Sequence, residues 1–146
     1  MLCTVLALLL TTACTDRRPA PTVEPYVISR DGGGQLISAE ADRARLVAWG
    51  GLVEIRGYCA SACVIFTTMP NACVGPKARI GFHGSNVNLG PIGNQQMARY
   101  LRGEAKQKYL DDWQFVPPTE MHWIMAAEYQ KLDPGIKFCT PWRPKQ

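Results

Sequence analysis

Histidine is scarce in this chain, which has only His83 and His122, so imidazole chemistry near neutral pH must fall on one of those two positions. Charge is sparse as well. Charged residues make up 19% of the 146 against 47% hydrophobic, a balance that argues against disorder and for one packed domain. No run of Lys or Arg exceeds two residues and the net charge is only +4, so the clustered basic face that nucleic acid requires is missing and no nucleic-acid partner is expected. No apolar stretch reaches the ~20 residues that span a bilayer. Internal repeats and low-complexity blocks are absent too.

The N-terminal stretch Met1 to Cys14 carries no charged side chain and contains Val5-Leu6-Ala7-Leu8-Leu9-Leu10. That pattern suits the apolar core of a secretory signal ending in the small residues Thr11-Thr12-Ala13. Cys14 after Ala13 resembles a bacterial lipoprotein cleavage site, although Thr11 stands where leucine is expected. The usual basic residues before the apolar core are missing, which points to an earlier start. The competing reading is a buried N-terminal strand or helix. Pro19, Pro21 and Pro25 make the following segment an extended tether. The expected division is a signal over 1–14, a tether over 15–25 and a domain over 26–146. The expected location is the periplasm or cell envelope, with a membrane tether through a lipidated Cys14.

Within the domain, Pro25-Tyr26-Val27-Ile28 is strand-like and leads to Asp31-Gly32-Gly33-Gly34. A helical run follows from about Ser38 to Trp49 and stops at Gly50-Gly51. Leu52 to Gly57 reads as a second strand, and Ser61 lies in the turn after it. A short helix over 61–69 and a strand over 73–82 lead to His83. Strands alternating with helices predict a parallel sheet. Ser61 and His83 then fall at the C-terminal ends of neighbouring strands, where open α/β sheets place their chemistry. Serine becomes a nucleophile when a histidine takes its proton. A glycine-rich strand-to-helix turn exposes N–H groups able to hold a negative oxygen. The same residues have plainer readings: Ser61 as the cap of the next helix, and His83 as a strand-end histidine bonded to backbone.

The order glycine turn, helix, strand, serine turn, helix, strand, histidine resembles the Clp protease proteolytic subunit and the wider crotonase superfamily. The likeness runs from about Tyr26 to about Tyr109 and more weakly to Cys139. It implies a compact, shortened α/β domain with a mainly parallel sheet flanked by helices. It also implies Ser61 as nucleophile, His83 as base, and an oxyanion hole from the Ala62 N–H with that of Gly33 or Gly34. The family acid falls about fifty residues after the histidine, which makes Asp133 the tentative third member and Glu128 the other candidate. No cofactor is implied. The family's long helix joins subunits into rings, so a homo-oligomer through the segment from Asn94 to Trp113, including Tyr100 and Leu101, is expected. Outside the cytoplasm ATP-driven unfolding is implausible, so the expected substrate is a short or already unfolded polypeptide, and less readily an ester or thioester. The motif Cys59-Ala60-Ser61-Ala62-Cys63 departs from the intracellular protease and looks like an exported offshoot. The alternative reading is a non-catalytic interaction module of the same fold.

Cys59, Cys63, Cys73 and Cys139 form an even set in an exported domain, which suggests two disulfides with three pairings open. In the parallel-sheet arrangement Cys59 and Cys73 lie at opposite ends of adjacent strands, which favours Cys59–Cys63 with Cys73–Cys139. A zinc set of Cys59, Cys63, Cys73 and His83 is the lesser alternative, since its spacing departs from paired ligand motifs and no metal is expected. After Gly84–Gly93, a loop able to form a groove or lid, the segment from Asn94 to Trp113 has helical periodicity. Thr119 caps an expected last helix over 120–132 that carries His122, read as structural or solvated. A short strand over 136–139 closes the chain.

Overall fold

The computed structural model describes residues 18, 20–86 and 88–140. The expected signal over 1–14, Cys14 within it, and the last six residues of the expected domain lie outside them. Among the described residues the chain is a mixed α/β fold: a five-stranded sheet with helices packed against it. Strand β1 (Tyr26–Asp31) leads into helix α1 (Leu36–Trp49), and β2 (Val53–Ala60) follows. The helix ends as the sequence predicts: Gly50 takes the left-handed conformation at φ 77°, and its N–H bonds the Leu46 carbonyl. No helix among the described residues is long and apolar enough to cross a membrane.

The segment after Ser61 is a 3-10 helix (Ser61–Thr68). Val64, Ile65, Thr67 and Thr68 are β-branched and lose side-chain freedom in an α-helix. The Thr67 hydroxyl instead bonds the Val64 carbonyl at 2.7 Å. From Ala62 to Thr68 every residue of this helix is buried, because the sheet lies on one side and α1 on the other.

The strand expected over 73–82 is two strands, β3 (Ala72–Val74) and β4 (Arg79–Phe82). Pro76 cannot donate to a ladder, and Gly75 turns its N–H to Ile55 O at 2.7 Å. Both pieces run parallel to β2 on the side away from β1: Val53–Ile55 pairs with Ala72–Val74, and Tyr58–Ala60 pairs with Arg79–Gly81. Two extra residues on the β3–β4 side are absorbed at the break. On the other side the β1–β2 register slips by one between Ser29 and Asp31, where Arg30 (φ 53°) and Gly57 (φ 72°) turn left-handed.

The expected long helix from Asn94 to Trp113 is also broken, into α2 (Gly90–Ala98) and α3 (Gly103–Asp111), with a 3-10 turn over Trp113–Phe115. Gly103 sits at φ 56°, and a side chain there would strike the Leu132 carbonyl. The expected last helix over 120–132 begins late. His122–Met125 is strand β5, antiparallel to β4, and helix α4 covers only Ala126–Leu132. Ile124 alternates inward while Trp123 and Met125 face out, a period-two pattern hidden within an apparently helical run. The closing strand over 136–139 reduces to a bridge between Phe138 and Val74.

The extended tether is also docked more than expected. Arg18 bonds Asp31 and Asp42, and Glu24 accepts the Leu52 N–H at 2.9 Å. Two disulfides form, Cys59–Cys63 and Cys73–Cys139, in the pairing the sheet arrangement favours. They use all three cysteines of the alternative zinc set, Cys59, Cys63 and Cys73.

The disulfides differ in what they close. Cys73–Cys139 spans 66 residues and ties the chain end to β3. By chain entropy its loss costs roughly 4 kcal/mol, against roughly 2 kcal/mol for the four-residue separation of Cys59–Cys63. Chemical denaturation of Cys73→Ala/Cys139→Ala is therefore expected to show the larger loss, and equal midpoints for the two double variants would contradict this.

Candidate active site

Strands β1, β2 and β4 are parallel, so their C-terminal ends lie along one edge of the sheet. The glycine turn follows Asp31, the serine turn follows Ala60, and His83 follows Phe82. A cleft of about 710 Å³ opens along that edge, and Ser61, Ala62, Gly34, His83 and Gly84 all line it. The sequence-predicted nucleophile, base and oxyanion residues are therefore gathered at one place.

Ser61 is one of two non-glycine residues with positive φ among the described residues, at 55°. Such a backbone costs roughly 1–3 kcal/mol in a residue with a Cβ. It holds the serine on a sharp turn between a strand and a buried helix, as a nucleophile elbow does. The Cys59–Cys63 bridge closes a small ring around Ala60, Ser61 and Ala62.

Gly33 presses directly on that turn. A Cβ at Gly33 would lie 2.7 Å from Ser61 Cβ and Ala60 O and 2.8 Å from Ala62 N, and its φ is 94°. Only glycine brings the two turns this close. Its N–H is already engaged, donating to Asp31 Oδ1 at 2.8 Å. Gly33 N–H is therefore not open to a ligand. Gly34 N–H has no partner among the described residues, and Ala62 N–H stands in the first turn of its helix, where no intrahelical acceptor exists.

His83 is half-buried at the cleft wall. Its Nδ1 bonds the Gly84 carbonyl oxygen. A carbonyl only accepts, so Nδ1 carries the proton and Nε2 is left as the acceptor. No Ser61–His83 hydrogen bond is formed among the described residues. The histidine is seated by its own carbonyl, which accepts from the buried Tyr109 hydroxyl at 3.3 Å; the same hydroxyl bonds Asn94 Oδ1. Burial pushes the Tyr109 phenol up to about 12.

The third triad member is not brought in. Asp133 is buried, but its carboxylate is held by Arg102 Nε at 2.9 Å and by the Gly135 N–H at 3.0 Å. Glu128 is exposed on α4. Among the described residues no carboxylate pairs with His83. His122 stacks on Trp113 at 5.0 Å, away from the cleft. Gly84, Tyr109 and Asn94 escaped the sequence reading because a carbonyl acceptor and buried polar partners have no motif. Asp31 had a signal, since an Asp two residues before a glycine bonds forward to its N–H.

Among the described residues the cleft wall contains no Asp, Glu, Lys or Arg. Leu36 and Met97 supply apolar wall, and Ile37 and Leu89 stand largely exposed at its rim. Tyr100 and Leu101, the expected oligomer contacts, are used within the chain: Tyr100 donates to Glu40 and Leu101 is buried. The chain matches no family model and no curated protein sequence.

Two expectations follow. Gly33→Ala should destabilise the fold by roughly 2–3 kcal/mol and displace the serine turn, read as a lower unfolding midpoint; an unchanged midpoint would show that the two turns are not in contact. Stability should fall as pH rises from 10.0 toward about 12. The sign follows from burial: it raises the folded-state pKa of Tyr109, so the folded chain holds a proton that the unfolded chain releases. Tyr129 is raised in the same direction by the same cause. Tyr109→Phe should flatten the decline, measured by denaturant midpoints across that range.

Proposed function

We propose that this chain is a serine hydrolase of a shortened Clp-protease or crotonase-like fold, acting on an uncharged stretch of short or unfolded polypeptide. The observation that carries the reading is Ser61 at positive φ on the tip of β2, sharing one cleft with His83 and the Gly34 amide. In the reaction Ser61 Oγ attacks the substrate carbonyl carbon while His83 Nε2 takes its proton. Negative charge on the carbonyl oxygen is met by the N–H groups of Ala62 and Gly34. Collapse expels the amine, which receives the proton from His83, and water then releases the acyl group by the same steps. The Gly84 carbonyl does for Nδ1 what a carboxylate does in a triad: it fixes the tautomer. It brings a dipole rather than a full charge, so the imidazolium is less stabilised and turnover should be slow.

Two disulfides fit an exported chain. Export to the cell envelope, with lipidation at Cys14, is proposed with the function.

A second reading, a non-catalytic module that binds partners or assembles with itself, is favoured by one observation: no carboxylate backs His83 among the described residues. Its surface would be the exposed Ile37, Leu89 and Ile92 near the cleft mouth.

A fluorophosphonate probe separates the two, since an activated serine displaces its fluoride and becomes phosphonylated. Label should map to Ser61, vanish in Ser61→Ala and slow by about 10²–10⁴-fold in His83→Ala. A folded, oxidised protein that takes no label would move the assignment to the binding module, and Ile92→Asp should then change its assembly state in sedimentation.

A further inference from the structure

Arg18 belongs to the segment that the sequence assigns to a tether, yet it is built into the fold. Its Nε and one terminal nitrogen bond Asp31 Oδ2. The other terminal nitrogen bonds Asp42 Oδ2 at 3.3 Å, and the Arg18 backbone N–H bonds the same oxygen at 3.0 Å. Arg45 completes the cluster from α1, reaching Asp42 Oδ1 at 3.0 Å and the Arg18 carbonyl at 2.9 Å. Asp42 is almost fully buried, so it depends on these cations. The Arg18 guanidinium also lies 4.2 Å from the centre of the Phe66 ring.

Asp31 and Phe66 are the informative partners. Asp31 gives one oxygen to Arg18 and the other to the Gly33 N–H. Gly33 is the residue whose backbone abuts Ser61 and Ala62. Phe66 belongs to the 3-10 helix that Ser61 begins. Arg18 therefore touches both halves of the site, the glycine turn through Asp31 and the nucleophile helix through Phe66.

We propose that Arg18 is a positioning residue for the oxyanion hole: it anchors Asp31, so that the Gly33 N–H stays turned to Asp31 and the glycine turn holds Gly34 at the cleft wall. The inference rests on the hydrolase reading. A guanidinium between two carboxylates holds both. Removing it leaves Asp31 and Asp42 as neighbouring like charges, and the more exposed Asp31 is the one free to swing out to water. The glycine turn then loses its internal acceptor, and left-handed Gly33 and Gly34 are free to rotate their amides.

The test uses the full-length oxidised protein and two measurements. The first follows the Gly33 amide by ¹⁵N NMR, with the Gly50 amide as a remote control. Arg18→Gln is expected to shift the Gly33 proton upfield and speed its exchange at least tenfold relative to Gly50. An unchanged Gly33 amide, or equal acceleration at both glycines, overturns the proposal, because general destabilisation speeds both. The second measures fluorophosphonate labelling of Ser61. Asp31→Asn keeps an acceptor for Gly33 but weakens the tie to Arg18, and leaves Asp42 with both its cations. Both variants should slow the maximal labelling rate about tenfold with unchanged half-saturation, and the double variant should be no slower than the slower single one. Independent, multiplying effects would overturn the coupling. Wild-type protein that takes no label while its Gly33 amide responds to Arg18→Gln would sink the hydrolase reading and leave the anchor standing.

Discussion

The close approach of two backbone turns, Gly33 against Ser61 and Ala62, is the constraint on which the rest of the site depends. It requires glycine at position 33, positive φ at both Gly33 and Ser61, and parallel β1 and β2 in a register that ends them together. The one-residue slip between Ser29 and Asp31 belongs to this geometry, since it sets Asp31 opposite Cys59 just before each chain turns. A left-handed serine is unfavourable alone. Here it is held by a buried helix on one side and a disulfide across it.

The histidine side of the cleft is built differently. His83 is placed by sheet pairing and steadied by backbone acceptance and donation: its Nδ1 gives to Gly84 O, and its carbonyl takes from Tyr109. Gly84 cannot carry a side chain, because a Cβ there would lie 2.1 Å from Gln114 O. The loop that follows is pinned to α2 by Ser85 N–H donating to Asn94 at 2.6 Å. In the proposed hydrolase this arrangement substitutes a fixed dipole for a carboxylate. It needs no residue from the C-terminal part, where Asp133 is engaged with Arg102 and Gly135 instead.

Much of the strand-and-turn order was legible because its signals are local. Asp31-Gly32-Gly33-Gly34 announces a turn, Gly50 announces a helix end, and β-branched runs announce β1 and β2. The disulfide pairing was legible too, once two adjacent parallel strands put Cys59 and Cys73 at opposite ends. What misled was period and length. Residues 120–125 carry apolar positions compatible with a helix, but β4 offers a free edge and Ile124 fills the core beside Ile80, so pairing overrides the local pattern. The break at Gly75-Pro76 and the split of the long helix at Arg99–Arg102 arise where packing demands a change of direction, which hydrophobic spacing does not record.

The sequence by itself determined the alternating strands and helices, the serine and histidine at strand ends and the even cysteine set, because each depends on neighbours a few residues apart. Tertiary structure alone decided that Gly34 rather than Gly33 offers the free amide, that a carbonyl and not Asp133 seats His83, and that Arg18 from the supposed tether reaches the glycine turn. The Arg18 and Tyr109 contacts join residues 13 and 26 positions apart, beyond any local propensity; the Asp31–Gly33 and His83–Gly84 bonds are local, but which partner each group takes is set by the packing around the two turns.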